Sequence, residues 1–156
     1  MTVALALFQP DIALNTGAML RLGACLCAPV HVIHPTGFPF SRAALRRSGL
    51  DYLDAVDLVE HAGFAAFDAW RRTNNRRLVL LTTAGRTSAY DFAFAPDDIV
   101  MVGRESAGVP LEVAERADAA IRIPMNAQTR SLNVALSAAL ILGEAKRQTD
   151  QFRGLP

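Results

Sequence analysis

At 156 residues, with hydrophobic types at 51% and charged types at 20%, the chain can bury one sizeable core and is too short for two ordinary domains. That balance excludes disorder and removes any need for a disulfide or metal staple. Sixteen basic residues against fifteen acidic ones leave +1. No whole-molecule field therefore marks a nucleic-acid binder, and a polyanion has to meet a local patch. Fifteen of the sixteen basic residues are Arg and only Lys146 is lysine. Arg pairs with phosphate through a planar fork, although an Ala-rich composition can produce the same bias.

The apolar run Val3–Phe8 has no basic stretch ahead of it and meets Gln9-Pro10-Asp11, which predicts a first strand and not a leader peptide. A helix follows over Gly17–Cys27. Its two cysteines, Cys25 and Cys27, are too few for a Cys-based zinc site and are expected as buried free thiols of a reducing compartment. Further strands are predicted at Val30–His34, Ala55–Val59, Leu78–Thr82, Ile99–Gly103 and Ala120–Pro124. Between and after them lie helix-like segments at Arg42–Ser48, Gly63–Arg72, Pro110–Arg116 and from Ser131 to about Gln148. The strands are continuous apolar runs, as strands covered on both faces require, and they alternate with helices. The fold class is α/β, a mostly parallel sheet flanked by helices, in a single domain over residues 1–156.

Other residues carry less. The longest apolar helix pattern, Leu132–Gly143, is far short of the ~20 residues that span a bilayer, so a soluble, cytoplasmic protein is expected. His31 and His34 are three apart on a strand and point to opposite faces. With His61 the only other histidine, no metal site or hydrolytic triad is expected. The basic run Arg71-Arg72-Thr73-Asn74-Asn75-Arg76-Arg77 reads as a solvated helix–strand turn, with RNA contact as its alternative.

Ligands of such sheets sit beyond the carboxyl ends of the strands, and four strand exits are unusual. The first, Gln9 to Gly17, leads into a helix bearing Arg21, with Asn15 suited to cap it. The second, Leu81-Thr82-Thr83-Ala84-Gly85, sets hydroxyls and a glycine directly after a buried strand. In the third, Gly103-Arg104-Glu105-Ser106-Ala107-Gly108-Val109-Pro110, two glycines frame a carboxylate; it is neither a P-loop nor GxGxxG. The fourth runs from Ile123-Pro124-Met125 to Asn133, where Ser131 can cap the last helix or hydrogen-bond a ligand.

Taken in order, Asn15-Thr16-Gly17 with Arg21, Gly103 to Pro110, and Ile123-Pro124-Met125 with Arg130-Ser131-Leu132-Asn133 resemble the three motifs of the SPOUT superfamily of RNA methyltransferases. Pro35-Thr36-Gly37-Phe38 and Leu45 to Tyr52 resemble the branch that methylates the ribose 2′-OH of cytidine or uridine at the tRNA wobble position. Two stretches depart: Ala107 stands where some members carry Arg, and Val134-Ala135-Leu136 is less polar than usual. The resemblance implies a trefoil knot in the C-terminal half, a homodimer, and S-adenosylmethionine as methyl donor. It implies that Leu81, Thr82, Gly103, Ile123, Met125 and Ser131 hold the donor.

The same resemblance makes Arg21 the residue acting at the 2′-OH. Arginine is effectively always charged, so the expected role is to bind a phosphate or the developing alkoxide. Asn15, Glu105 and Asn133 complete the reaction centre. Arg42, Arg46 and Arg47, with no acid nearby before Asp51, are the expected docking patch for a tRNA anticodon arm. The alternatives are a ribosomal-RNA ribose methyltransferase of the same superfamily, a non-catalytic RNA- or nucleotide-binding module, and a small-molecule α/β enzyme.

Overall fold

The computed structural model describes residues 1–47, 52–153 and 155. Its elements, in chain order, are β1 (Ala4–Phe8), α1 (Ala13–Cys25), β2 (Val30–Ile33), α2 (Arg42–Arg47), β3 (Leu58–His61), α3 (Phe64–Thr73), β4 (Leu78–Leu81), β5 (Thr87–Ser88), β6 (Ile99–Val102), α4 (Leu111–Ala114), β7 (Ala119–Arg122) and α5 (Val134–Gln148). Ser48 at the end of the second predicted helix, and residues 48–51 of the Leu45–Tyr52 stretch, lie outside the described residues.

All seven strands pair in parallel, in the order β3-β2-β1-β6-β4-β7-β5. The continuous apolar strands are explained by what covers them. Leu5 and Leu7 of β1 pack with Met19, Leu20 and Ala138 of α1 and α5, and Val79, Val100 and Ile121 meet Ile141, Leu142 and Ala145 of α5. Their strand neighbours Ala4, Ala6, Leu78, Leu80, Ile99 and Met101 point the other way, onto Phe67 of α3 and Val113 of α4. The period of two thus survives in the packing although every position is apolar.

Several boundaries differ from expectation. β3 lies at Leu58–His61, because Tyr52 to Ala55 forms a turn, with Ala55 N–H donating to the Tyr52 carbonyl at 2.9 Å. The two-residue β5 carries no apolar run to betray it. Neither cysteine is buried: Cys25 ends α1, Cys27 turns the chain at φ 49°, and the core positions nearby go to Leu20, Gly23 and Ala28.

The basic run before β4 is solvated only at Arg72 to Asn75, and its other arginines turn inward. Arg71 is buried, its guanidinium 2.7 Å from Asp68 and 2.9 Å from Asp118, and it donates to the Arg116 carbonyl at 2.7 Å. Arg76 is also buried and donates to the Asp97 and Thr2 carbonyls. Arg77 makes a bidentate pair with the fully buried Asp98, both contacts 2.7 Å. These guanidiniums tie together the amino ends of β1, β4 and β6. Lys146 of α5 is likewise buried, with Nζ 3.3 Å from the Thr2 hydroxyl and 3.4 Å from the Gln151 side-chain oxygen.

His31 and His61, on adjacent strands, stack and share a hydrogen bond at 3.0 Å, enclosed by Phe67 and Trp70. Among the described residues, no group of three or more His, Cys, Asp or Glu is arranged to hold a metal. No helix there is long and apolar enough to cross a membrane.

Candidate active site

The sheet order makes the four unusual exits neighbours. β1, β6, β4 and β7 stand side by side, and their carboxyl ends open on a cavity of about 430 Å³, within the size range of small-molecule sites. The order of winding also reverses here: from β1 the sheet grows to β2 and β3 on one side and to β6, β4 and β7 on the other, the kind of switch point where α/β sheets bind ligands.

Nine of the ten residues assigned to the reaction centre and donor from sequence line this cavity: Asn15, Leu81, Thr82, Gly103, Glu105, Ile123, Met125, Ser131 and Asn133. Arg21 does not. It lies on the exposed side of α1, its guanidinium 4.6 Å from the centre of the Tyr52 ring. Among lining residues given no role from sequence are Ile12, Val109, Leu132 and Ser137.

The β6 exit is a closed loop. Arg104 N–H donates to the Gly108 carbonyl at 3.0 Å and Gly108 N–H returns to the Arg104 carbonyl at 2.8 Å. Gly108 takes φ 64°, a conformation glycine adopts without steric cost. A Cβ on Gly103 would sit 2.7 Å from the Gly108 carbonyl carbon, so both glycines are required for the loop to fold back on itself. The β4 exit is equally tight: a Cβ on Gly85 would lie 2.4 Å from the Ile121 carbonyl carbon.

A relay of polar groups joins three elements at the cavity rim. Asn133 caps α5, its Oδ1 accepting from Ala135 N–H at 2.9 Å and Leu136 N–H at 3.2 Å. Its Nδ2 donates to Asn15 Oδ1 at 3.1 Å, and Asn15 Nδ2 donates to Glu105 Oε1 at 3.2 Å. Glu105 Oε2 then accepts from Asp11 N–H at 3.1 Å. Two cap assignments are corrected by this relay. The α5 cap is Asn133 and not Ser131. Asn15 does not cap α1, which already starts at Ala13 behind an uncapped Ile12; its amide is committed to the relay.

Asp11 is the residue that sequence reasoning passed over. Its Oδ1 accepts from Glu105 N–H at 3.1 Å and its Oδ2 from the Ser106 hydroxyl, while Arg104 Nε lies 3.9 Å away. Hydrogen bonding from the Glu105 side chain, then from Ser106 and the loop backbone, holds the Asp11 carboxyl at about 2. Glu105 moves the other way, pushed up by burial and then by the neighbouring Asp11 carboxyl. The only sequence signal was position: an acid four residues ahead of Asn15 in the same strand exit.

The α2 patch is weaker than expected. Asp54 returns to it, 2.6 Å from Arg46 and 4.0 Å from Arg42. The Arg47 side chain lies outside what the structure describes.

An all-parallel sheet whose adjacent exits enclose an apolar cavity with a polar rim defines an α/β ligand-binding protein with its site at the switch point. The chain belongs to the SpoU rRNA Methylase family, whose model matches residues 2–143. It is 56% identical over 152 residues to a tRNA (cytidine(34)-2'-O)-methyltransferase of Ancylobacter novellus, covering 97% of this chain and 96% of the relative. A structure solved in work on the 2-OH methylation of C/U34 on tRNA is 39% identical, with a TM-score of 0.87 over 94% of this chain and 95% of that one. An AdoMet-bound rRNA methyltransferase from Sinorhizobium meliloti is 26% identical, with a TM-score of 0.83 over 94% of this chain and 56% of that one.

Proposed function

We propose that residues 1–156 form one methyltransferase domain that moves a methyl group from S-adenosylmethionine to the ribose 2′-OH of cytidine or uridine at the wobble position of tRNA. The observation that carries this reading is the convergence of nine residues from the four strand exits on one cavity. The 56% identity to a tRNA enzyme, against 26% to an rRNA enzyme, favours tRNA over ribosomal RNA. A tRNA enzyme acts in the cytoplasm with its substrate.

The cavity suits the donor. Leu81, Ile123, Met125 and Val109 supply apolar wall for an adenine and a thioether, and Thr82 and Ser131 supply polar groups at its edge. Gly103, with no side chain, lets the Gly108 backbone close against it and shape that wall. When bound, the donor supplies a methyl group already activated on a sulfonium, so the chain's task is alignment and charge control. Alignment of two reactants can lower a barrier by roughly 7–11 kcal/mol.

Both Glu105 oxygens already accept hydrogen bonds, so Glu105 acts as a strut holding Asn15 and the β6 exit in register. Asn133 fixes the start of α5 against the same strut. Arg21, exposed and permanently charged, holds a phosphate or the developing alkoxide, and the 2′-OH proton leaves to an RNA phosphate or to water. Arg42 and Arg46 add docking charge that Asp54 partly cancels, with Arg47 beside them in the chain.

Two larger features complete the reading. The chain between β4 and β5 lies against the backbone of β7 at Gly85, which supports a trefoil knot in the C-terminal half. Leu14 on α1, and Leu136 and Leu140 on α5, are 84%, 57% and 46% exposed on two helices packed together. This apolar face beside the cavity supports a homodimer.

The test uses purified protein, isotopically labelled S-adenosylmethionine and total tRNA from cells lacking this protein. Label recovered in 2′-O-methylcytidine or 2′-O-methyluridine at the wobble position is the expected result. No label in tRNA from protein that binds the donor, or no donor binding, overturns it. Arg21→Ala is expected to lose methyl transfer by about 100-fold or more, the scale of one transition-state contact, with donor affinity by calorimetry unchanged. Arg21→Lys is expected to recover little, since it lacks the fork.

A further inference from the structure

Most of the protein's arginines are already engaged within the fold. Arg71, Arg72, Arg77, Arg147 and Arg153 lie within 3.1 Å of carboxylates. Arg76 is spent on backbone carbonyls, Arg42 and Arg46 share Asp54, and Arg104 and Arg116 each have a carboxylate at 3.9 Å. Arg122 and Arg130 are different. Both are exposed, and neither side chain meets a carboxylate or a hydrogen-bond acceptor among the described residues.

These two arginines line one groove. It has a volume of about 350 Å³ and is formed by the end of β7 and the loop after it, with Asn126 and Thr129 among its other walls. No carboxylate lines it. It abuts the reaction cavity directly, because Thr83, Ile123 and Met125 belong to both. An open, uncompensated cationic groove continuous with a more enclosed apolar cavity fits a polymeric anion whose one nucleotide enters the cavity while its backbone stays outside.

We propose that the groove between Arg122 and Arg130 binds RNA backbone phosphates flanking the nucleotide to be methylated. The inference rests on the reading of the chain as a tRNA methyltransferase and adds a substrate track to it. Two guanidiniums with free forks and no internal counter-charge cost no ion pair to recruit, unlike Arg42 and Arg46, which must first release Asp54. Asn126 and Thr129 are polar neighbours suited to sugar or phosphate oxygens.

The experiment measures tRNA affinity by fluorescence anisotropy over a series of salt concentrations, for the wild-type chain and for Arg122→Ala/Arg130→Ala. Methyl transfer and donor binding are measured alongside. Each lost phosphate contact lowers the slope of log K against log[salt] by about 0.7–0.9. The double variant is therefore expected to bind tRNA more weakly, with the slope reduced by about 1.4–1.8, a raised KM for tRNA and unchanged donor affinity. The conservative Arg122→Lys/Arg130→Lys is expected to keep most of the slope, because it keeps the charge. Arg147→Ala/Arg153→Ala, which removes an equal charge from arginines paired with Glu144 and Asp150, is expected to match wild type.

A double variant with wild-type affinity and slope, in a protein that still methylates tRNA, overturns the groove and leaves the proposed function standing. Equal loss from Arg147→Ala/Arg153→Ala also overturns it, since net charge alone then explains the effect. Wild-type protein that neither binds nor methylates tRNA overturns the proposed function and this inference with it.

Discussion

Asp11 makes the reaction loop dependent on one carboxylate. It accepts from Glu105 N–H and the Ser106 hydroxyl, and its own N–H donates to Glu105. Asp11→Ala leaves those donors without partners, a loss of about 1–3 kcal/mol where they are shielded from water. The expected outcome is a lower melting temperature and weaker donor binding, because Glu105 and the rest of the loop line the cavity. Asp11→Asn keeps one oxygen acceptor and is expected to restore part of both; calorimetric titration of the donor checks the pair. The motifs identified Asn15, Glu105 and Asn133 but not their connection. That Asn133 donates to Asn15 and Asn15 to Glu105 depends on contacts 118 and 90 residues apart in the chain, beyond any local pattern.

At the scale of elements, local chemistry made the strands and their exits legible and left the packing between them obscure. β1, β4 and β6 are apolar runs bounded by polar or glycine-rich turns, and all three form where expected. The caps were misread because Ser131 and Asn15 have the right side chains at nearly the right places. The choice between Ser131 and Asn133 depends on which side-chain oxygen reaches the first free N–H groups of α5. Gly85 shows the same limit. Nothing in its sequence context separates it from an ordinary turn glycine, yet Gly85→Ala would drive a Cβ to 2.4 Å from β7 backbone. We expect a loss of about 1–3 kcal/mol, read as a lower urea midpoint, with still larger damage to donor binding.

The β2–β3 pair carries a pH dependence of its own. Burial first, then His61 and Arg76, holds the His31 imidazole at about 3, and burial lowers His61 as well. A histidine whose proton affinity is lower folded than unfolded favours the fold while both states are neutral. Its contribution is intact above ~6.5 and is lost as pH falls from there toward 3, at up to about 1.4 kcal/mol per pH unit for His31. Unfolding free energies measured between pH 7 and 5 should fall accordingly. His31→Phe/His61→Phe, which replaces both partners with apolar rings, should flatten the slope.

At the scale of the whole molecule, the balanced charges are largely spent on pairs inside the fold. Arginines at the amino ends of the strands close the base of the sheet, while the carboxyl ends carry the cavity and the uncompensated groove. The composition reading, that any polyanion must meet a local patch, agrees with this division, but the residues that supply the patch are not those in the densest basic run. The apolar face of α1 and α5 sits beside the same end. Leu136→Glu/Leu140→Glu is expected to convert a dimer to monomers in light scattering and to abolish methyl transfer, with the monomer's secondary structure retained by circular dichroism.

The solitary lysine gives the molecule a built-in reporter of its integrity. Lys146 is buried on α5, and its amine faces Thr2 and Gln151. An endoprotease that cuts only after lysine therefore has one bond to find in the chain, between Lys146 and Arg147. That bond becomes available when α5 lifts from the sheet. The rate at which a single cut appears measures how often the last helix leaves, and ligands that fill the neighbouring cavity can be ranked by how far they slow it.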